Sequence, residues 1–95
     1  MKRFYYTDRA EKGHKNQRCN HVLRIYKLVN KDMIFLDEAE YSTASTPGAE
    51  SEVFRALIRI GEIPRKWYNS SENSWRGPGY YGGPVMKYYN IKEIY

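Results

Sequence analysis

The sequence predicts an α+β fold in which one helix packs on one face of a small antiparallel sheet of three to four strands. Three observations predict it. Two long β-type segments flank a short polar turn, one later segment has apolar residues at helical spacing, and shorter β-type segments stand near both ends of the chain. At 95 residues the chain has the length of one domain, which we assign to 1–95.

The N-terminal segment predicts a strand followed by a long loop. Lys2–Thr7 is short and rich in aromatic residues, as strands commonly are. Residues 8–20 then collect basic side chains around Gly13 and hold almost no apolar ones, so they predict a basic loop. Loops of this length in compact domains are commonly either functional or poorly ordered. Both interpretations stay open here: a solvated excursion without a role, or a binding loop.

The next two segments predict a β-hairpin. His21–Val29 and Met33–Tyr41 are separated by polar residues that tolerate left-handed turn geometry. The second strand becomes acidic over residues 37–40. Antiparallel pairing would place these carboxylates alongside Arg24, so we expect part of the acidic charge to be neutralised within the sheet.

The helix has start and stop signals at both ends. Thr46 is suited to the N-cap and Pro47 to the first helical position. Apolar residues recur at helical spacing from Val53 onward, and Gly61 is placed to end the helix. The helix is therefore expected at about 47–60, with its apolar stripe in the core.

The C-terminal part divides into an irregular segment and a strand. Residues 69–84 are so rich in glycine and proline that no regular element is expected there. The tail Val85–Tyr95 recovers β character. This tail could complete the sheet of its own chain, or it could form a homodimer by pairing with a second copy.

Charge is unevenly distributed along the chain. Residues 1–31 carry nine Lys or Arg and two acids, residues 32–62 carry two and seven, and residues 63–95 carry five and two. Charges that serve only solubility tend to intermix. The basic arm, the acidic middle and the basic, aromatic-rich tail therefore point to a charged binding partner.

The predicted contact residues are basic or aromatic, and they lie in the basic loop and the C-terminal region. Cations next to aromatic rings suit nucleic acids and nucleotides, because bases stack on rings and phosphates attract cations. For each aromatic residue the alternative is a place in the core. The predicted set is Arg9, Lys12, Lys15, Arg18, Arg65, Lys66, Trp67, Tyr68, Trp75, Arg76, Tyr80, Tyr81 and Lys87.

Catalysis, metal binding and membrane insertion find little support in the sequence. No nucleophile elbow, phosphate-binding loop or dinucleotide fingerprint is present, so we predict no enzyme activity and no cofactor. Cys19, His14 and His21 are the only soft ligands, too few for a structural zinc site, and no metal is expected. A single cysteine and the lack of a long apolar run favour a cytoplasmic protein without membrane contact.

Two functions follow as expectations. The first is a small, basic, non-catalytic module that binds nucleic acid or a nucleotide through its basic arm and its aromatic C-terminal region. The second is a protein-binding inhibitor or adaptor encoded by a mobile element, such as a phage accessory or counter-defence protein, that binds an acidic face of a host protein. Tyr, Trp and Arg are the usual anchors of such interfaces, and the tail is rich in all three.

Overall fold

The fold places one helix on one face of a four-stranded sheet. The structure is a computed structural model, and it describes residues 3–44, 49–65 and 90–95. In chain order the elements are β1 (Arg3–Ala10), β2 (His21–Val29), β3 (Asp32–Tyr41), α1 (Ala49–Arg59) and β4 (Ile91–Glu93), and the strand order in the sheet is β3-β2-β1-β4. The predicted α+β class with a single helix on a small sheet is confirmed.

The sheet is mixed rather than purely antiparallel. β1 pairs with β2 and β2 with β3 in antiparallel fashion, as predicted, but β4 pairs with β1 in parallel. Two parallel strands need a long connection that returns the chain to the same end of the sheet, and the connection from β3 to β4 contains α1. The prediction of an all-antiparallel sheet was wrong for this strand because pairing direction depends on the return path.

β1 is three residues longer than the sequence predicts. Asp8, Arg9 and Ala10 pair with Leu23, Val22 and His21, so they extend the strand instead of opening the loop. The connecting loop therefore begins at Glu11, and Arg9 is a strand residue. Composition did not predict this extension because its residues are mostly polar. A strand need not be apolar where its partner strand supplies the apolar side chains.

The helix ends as the sequence predicts. Gly61 has a φ of 83°, a left-handed conformation that glycine adopts without strain. The amides of Gly61 and Glu62 donate to the carbonyls of Ile58 and Leu57 at 3.0 and 2.9 Å. This pair of bonds is the Schellman arrangement, which satisfies carbonyls that the last helical turn leaves without partners.

The core lies between α1 and one face of the sheet. Phe4 and Tyr6 of β1, with Leu23 and Ile25 of β2, contribute its sheet side. β3 adds Ala39 and Tyr41, the helix contributes Val53, Phe54, Ala56, Leu57 and Ile58, and Ile63 and Ile91 complete the cluster. Because side chains alternate between the two faces of a strand, the residues next to these core positions point to the opposite face of the sheet.

Several predicted features lie outside the described residues. They are the helix start at Thr46 and Pro47, the glycine-rich segment 69–84 and the tail residues 85–89. In the described part of the chain, no helix has both the length and the apolar character needed to cross a membrane.

Candidate functional site

Glu40 fixes the basic loop, residues 11–20, to the far end of β3. Its carboxylate accepts the backbone N–H groups of His14, Lys15 and Asn16, with shortest distances of 2.6, 2.9 and 3.0 Å. Consecutive N–H groups that converge on one anion form a nest, a common anion-binding arrangement of the backbone. In this protein the anion is one of its own side chains, and the loop backbone thereby takes a defined conformation.

Gly13 lets the loop close tightly. Its N–H donates to the carbonyl of Cys19 at 2.9 Å, and the N–H of Cys19 donates to the carbonyl of Asn16 at 3.0 Å. A Cβ atom added at Gly13 would overlap the Asn16 carbonyl oxygen and lie 2.7 Å from Oε1 of Glu40. Only glycine therefore fits at this position without displacing the backbone.

The loop amides favour the charged form of Glu40. The N–H of Lys15, with those of Asn16 and His14, lowers the pKa of this carboxyl below its ordinary value. A carboxyl whose pKa falls on folding contributes stability above its unfolded-state pKa, and that stability is lost as the pH falls through the folded-state pKa.

We therefore expect the amide resonances of residues 14–16 to shift together on acidification. The NMR midpoint should lie below the ordinary glutamate pKa of about 4.3. The side chains of Arg24 and His14 also lower the pKa of Glu11 below its ordinary value, so Glu40→Gln is the control that should abolish the transition. A midpoint at or above the ordinary value, or one that survives Glu40→Gln, would contradict this role.

The other carboxylates near the loop are already paired. Arg24 contacts Glu11 at 3.2 Å and Glu38 at 3.3 Å, and the His14 ring contacts Glu11 at 2.9 Å. Arg24 and Glu38 are direct cross-strand partners, so the expected neutralisation of the acidic strand by Arg24 is confirmed. On the other face of the sheet, Asp37 pairs with Arg59 at 2.9 Å.

The cations of the loop region have no such partners. Arg9, Lys12, Lys15 and Arg18 are all exposed, and across residues 3–44, 49–65 and 90–95 none of the four forms an ion pair. By contrast, Arg24 and Arg59 each contact a carboxylate. The four cationic groups of the loop region therefore have no direct carboxylate contact among the described residues, although the carboxylate of Glu40 lies on the backbone amides of the same loop.

An open cleft of about 420 Å³ lies between the loop and the adjoining strand ends. Lys12, Arg18, Gln17 and Asn20 are among its lining residues, and His21 at the start of β2 also lines it. The cleft thus combines two cations and the Gln17 amide with the carboxylate of Glu11, which pairs with Arg24, while the Asn20 amide is engaged with Thr43. The two cations and Gln17 can donate hydrogen bonds to phosphate oxygens.

His21 is held by a polar cluster at the end of the core. Its Nδ1 atom lies 2.7 Å from Oδ1 of Asp8, and the Tyr41 hydroxyl donates to Oδ2 of Asp8 at 2.8 Å. Burial and the contact with Asp8 raise the pKa of Tyr41, so its hydroxyl keeps its proton at neutral pH. We assign this cluster a positioning role, since it fixes the orientation of a ring at the cleft.

The structure brings together part of the predicted site. Lys12, Lys15 and Arg18 share the loop, and Arg9 lies on the strand that leads into it. Arg65 is exposed beyond the end of α1. The remaining predicted residues lie outside the described part of the chain: Lys66, Trp67, Tyr68, Trp75, Arg76, Tyr80, Tyr81 and Lys87.

Sequence reasoning missed the residues that shape this site. Gln17 and Asn20 are uncharged loop residues with no spacing signal, and His21 was considered as a metal ligand and assigned to a strand, not to the predicted binding site. Glu40 was expected to pair within the hairpin, whereas it binds backbone amides 24 to 26 positions away. No protein-family model, curated protein or solved structure matches this chain.

Proposed function

We propose that this protein is a small, non-catalytic module that binds nucleic acid, with the basic loop as its phosphate-binding element. The observation that carries the proposal is the group of exposed cations at Arg9, Lys12, Lys15 and Arg18, none of which has a carboxylate partner among the described residues. Nucleic-acid backbones present a regular series of negative charges, and such charges attract cations of this kind.

The fixed loop conformation favours binding. A loop that must order itself on binding loses conformational entropy, which weakens the complex. Here Glu40 already holds the backbone at residues 14–16, so little of that cost remains. The Gln17 amide adds a hydrogen-bond donor group in the cleft beside Lys12 and Arg18.

The salt dependence of binding tests the proposal. Fluorescence anisotropy with a labelled oligonucleotide of about 12 nucleotides should show binding at low salt. Four phosphate contacts on a single strand predict that the logarithm of the association constant falls with the logarithm of salt concentration with a slope of about −3. Absence of binding at about 50 mM salt, for single and double strands alike, would overturn the proposal.

A further inference from the structure

Three aromatic side chains form a row across the sheet face opposite the helix. Tyr5 of β1 is the direct cross-strand partner of Tyr26 of β2, and Tyr26 is the direct partner of Phe35 of β3. Directly opposed residues lie on the same face of a sheet. Lys92 of β4 pairs with Tyr5 on the other side, so this line of paired residues includes one residue from each of the four strands. We call Tyr5, Tyr26 and Phe35 the aromatic row.

A β-bulge places Phe35 in this row. The register shifts between Ile25 and Tyr26, so that Ile25 pairs with Asp37 while Tyr26 pairs with Phe35. Leu36 is left without a partner and packs against the core. In an uninterrupted ladder Leu36 would face Tyr26, and Phe35 would turn to the helix side. Bulges commonly redirect a side chain in this way.

Phe35 is the exposed member of the aromatic row, Tyr5 and Tyr26 are half-buried, and the row shares its sheet face with Glu40, which binds the loop at residues 14–16. Phe35 is 54% exposed, and its ring meets the ring of Tyr26 edge to face at a centroid distance of 5.7 Å. Arg9 lies on this face too, since it pairs with Val22, and Val22 pairs on its other side with Glu40, the residue that binds the loop amides. Tyr5 and Arg9 are four positions apart on one strand, about 13 Å.

The charges around the aromatic row are positive. Arg3 and Lys92 flank it, and neither forms an ion pair within the described residues. The acids that reach this face are engaged, since Glu11 and Glu38 contact Arg24 and Glu40 binds the loop amides. An anionic partner with flat apolar groups complements this surface. A second copy docked across a two-fold axis would instead bring like charges together.

We infer that the aromatic row stacks unpaired bases and that the ligand is therefore single-stranded nucleic acid. This inference rests on the proposed function, in which the basic loop holds the phosphates. Aromatic rings on a sheet can stack only on bases whose faces are free, and bases in a duplex are already stacked on one another. A strand that crosses the aromatic row toward Arg9 would bring its backbone to Arg9 and to the loop segment 14–16, which includes Lys15.

The test compares two neighbouring residues on opposite faces of β3. Phe35→Ala removes an exposed ring from the aromatic row. Ile34→Ala is the matched control. Ile34 is also exposed, at 43%, but it pairs with Lys27 and therefore lies on the helix side of the sheet. With a labelled oligothymidine of about 12 nucleotides, Phe35→Ala should weaken binding roughly tenfold, while the salt slope stays unchanged. Ile34→Ala should bind like the unaltered chain, and Phe35→Trp should restore affinity.

The outcomes separate this inference from the proposed function. If the unaltered chain binds neither the oligothymidine nor a duplex of equal length, both proposals fail. If it binds both with equal affinity and Phe35→Ala changes nothing, phosphate binding by the loop stands and base stacking is overturned. If the unaltered chain is a dimer that Phe35→Ala dissociates without weakening oligonucleotide binding, the aromatic row is an interface between copies, and the inference is also overturned.

Discussion

Replacing Lys12, Lys15 and Arg18 together with alanine is expected to weaken binding of a single-stranded oligonucleotide roughly 50-fold at about 0.15 M salt. The reason is counterion release: each phosphate contact on a single strand contributes roughly fourfold at this ionic strength. The slope of the salt dependence should fall from about −3 to about −1, because only Arg9 of the four cations remains. Anisotropy titrations at several salt concentrations measure both quantities.

This variant should fold normally, which makes its binding defect interpretable. The three side chains are exposed and form no ion pair among the described residues, so the free energy of unfolding should change by no more than about 0.5 kcal/mol. Lys31→Ala is the control, since Lys31 is an exposed cation in the hairpin turn at the other end of β2. A slope that stays the same in the triple variant would show that the loop does not contact phosphates.

Gly13→Ala is expected to destabilise the protein by about 2 kcal/mol, because an added methyl group in a filled space displaces its surroundings. The new Cβ would overlap the Asn16 carbonyl oxygen and crowd Glu40. The loop must then move away from Glu40 and lose N–H bonds to its carboxylate. Urea denaturation measures the stability change, and the amide shifts of residues 14–16 report the displacement. Oligonucleotide affinity should fall as well.

Gly61→Ala is the matched control for this substitution. Nothing lies within 4 Å of the position that a Cβ would occupy at Gly61, so the cost comes from the left-handed backbone alone and should be about 1 kcal/mol. Its effect on oligonucleotide affinity should be negligible. If Gly13→Ala lowers the free energy of unfolding no more than Gly61→Ala does and leaves the loop amide shifts unchanged, the close packing described around Gly13 would be contradicted.

Local signals predicted most of the fold. The hairpin strands and the helix end are encoded within a few residues of where they occur, as at Asn30, whose φ is 57° in the turn, and at Gly61. The extension of β1 and the direction of β4 depend on partners far along the chain. The direction in which a short segment such as Ile91–Glu93 pairs depends on the end of the sheet from which the chain enters. No local sequence pattern specifies that direction.

The candidate site was predictable in its charges and not in its shape. The loop cations stand out in composition, whereas the Glu40 contacts join residues that no spacing rule connects. The aromatic row escaped notice because Tyr5 and Tyr26 were assigned no role beyond their strands. Phe35 lies on the same face as Tyr5 and Tyr26 only because of the bulge at Leu36. The bulge interrupts the strict alternation of side chains that predicts which face a strand residue occupies.

The parallel strand β4 has a consequence for how the protein folds and opens. The connections between β1, β2 and β3 are much shorter than the one from β3 to β4, which spans about half the chain, so we expect the docking of β4 to carry the largest loop-closure cost. Being three residues long, it should also be the first strand to detach in native-state fluctuations. Each detachment carries Lys92 away from Tyr5 and uncovers the hydrogen-bonding edge of β1, where another extended chain could add itself to the sheet.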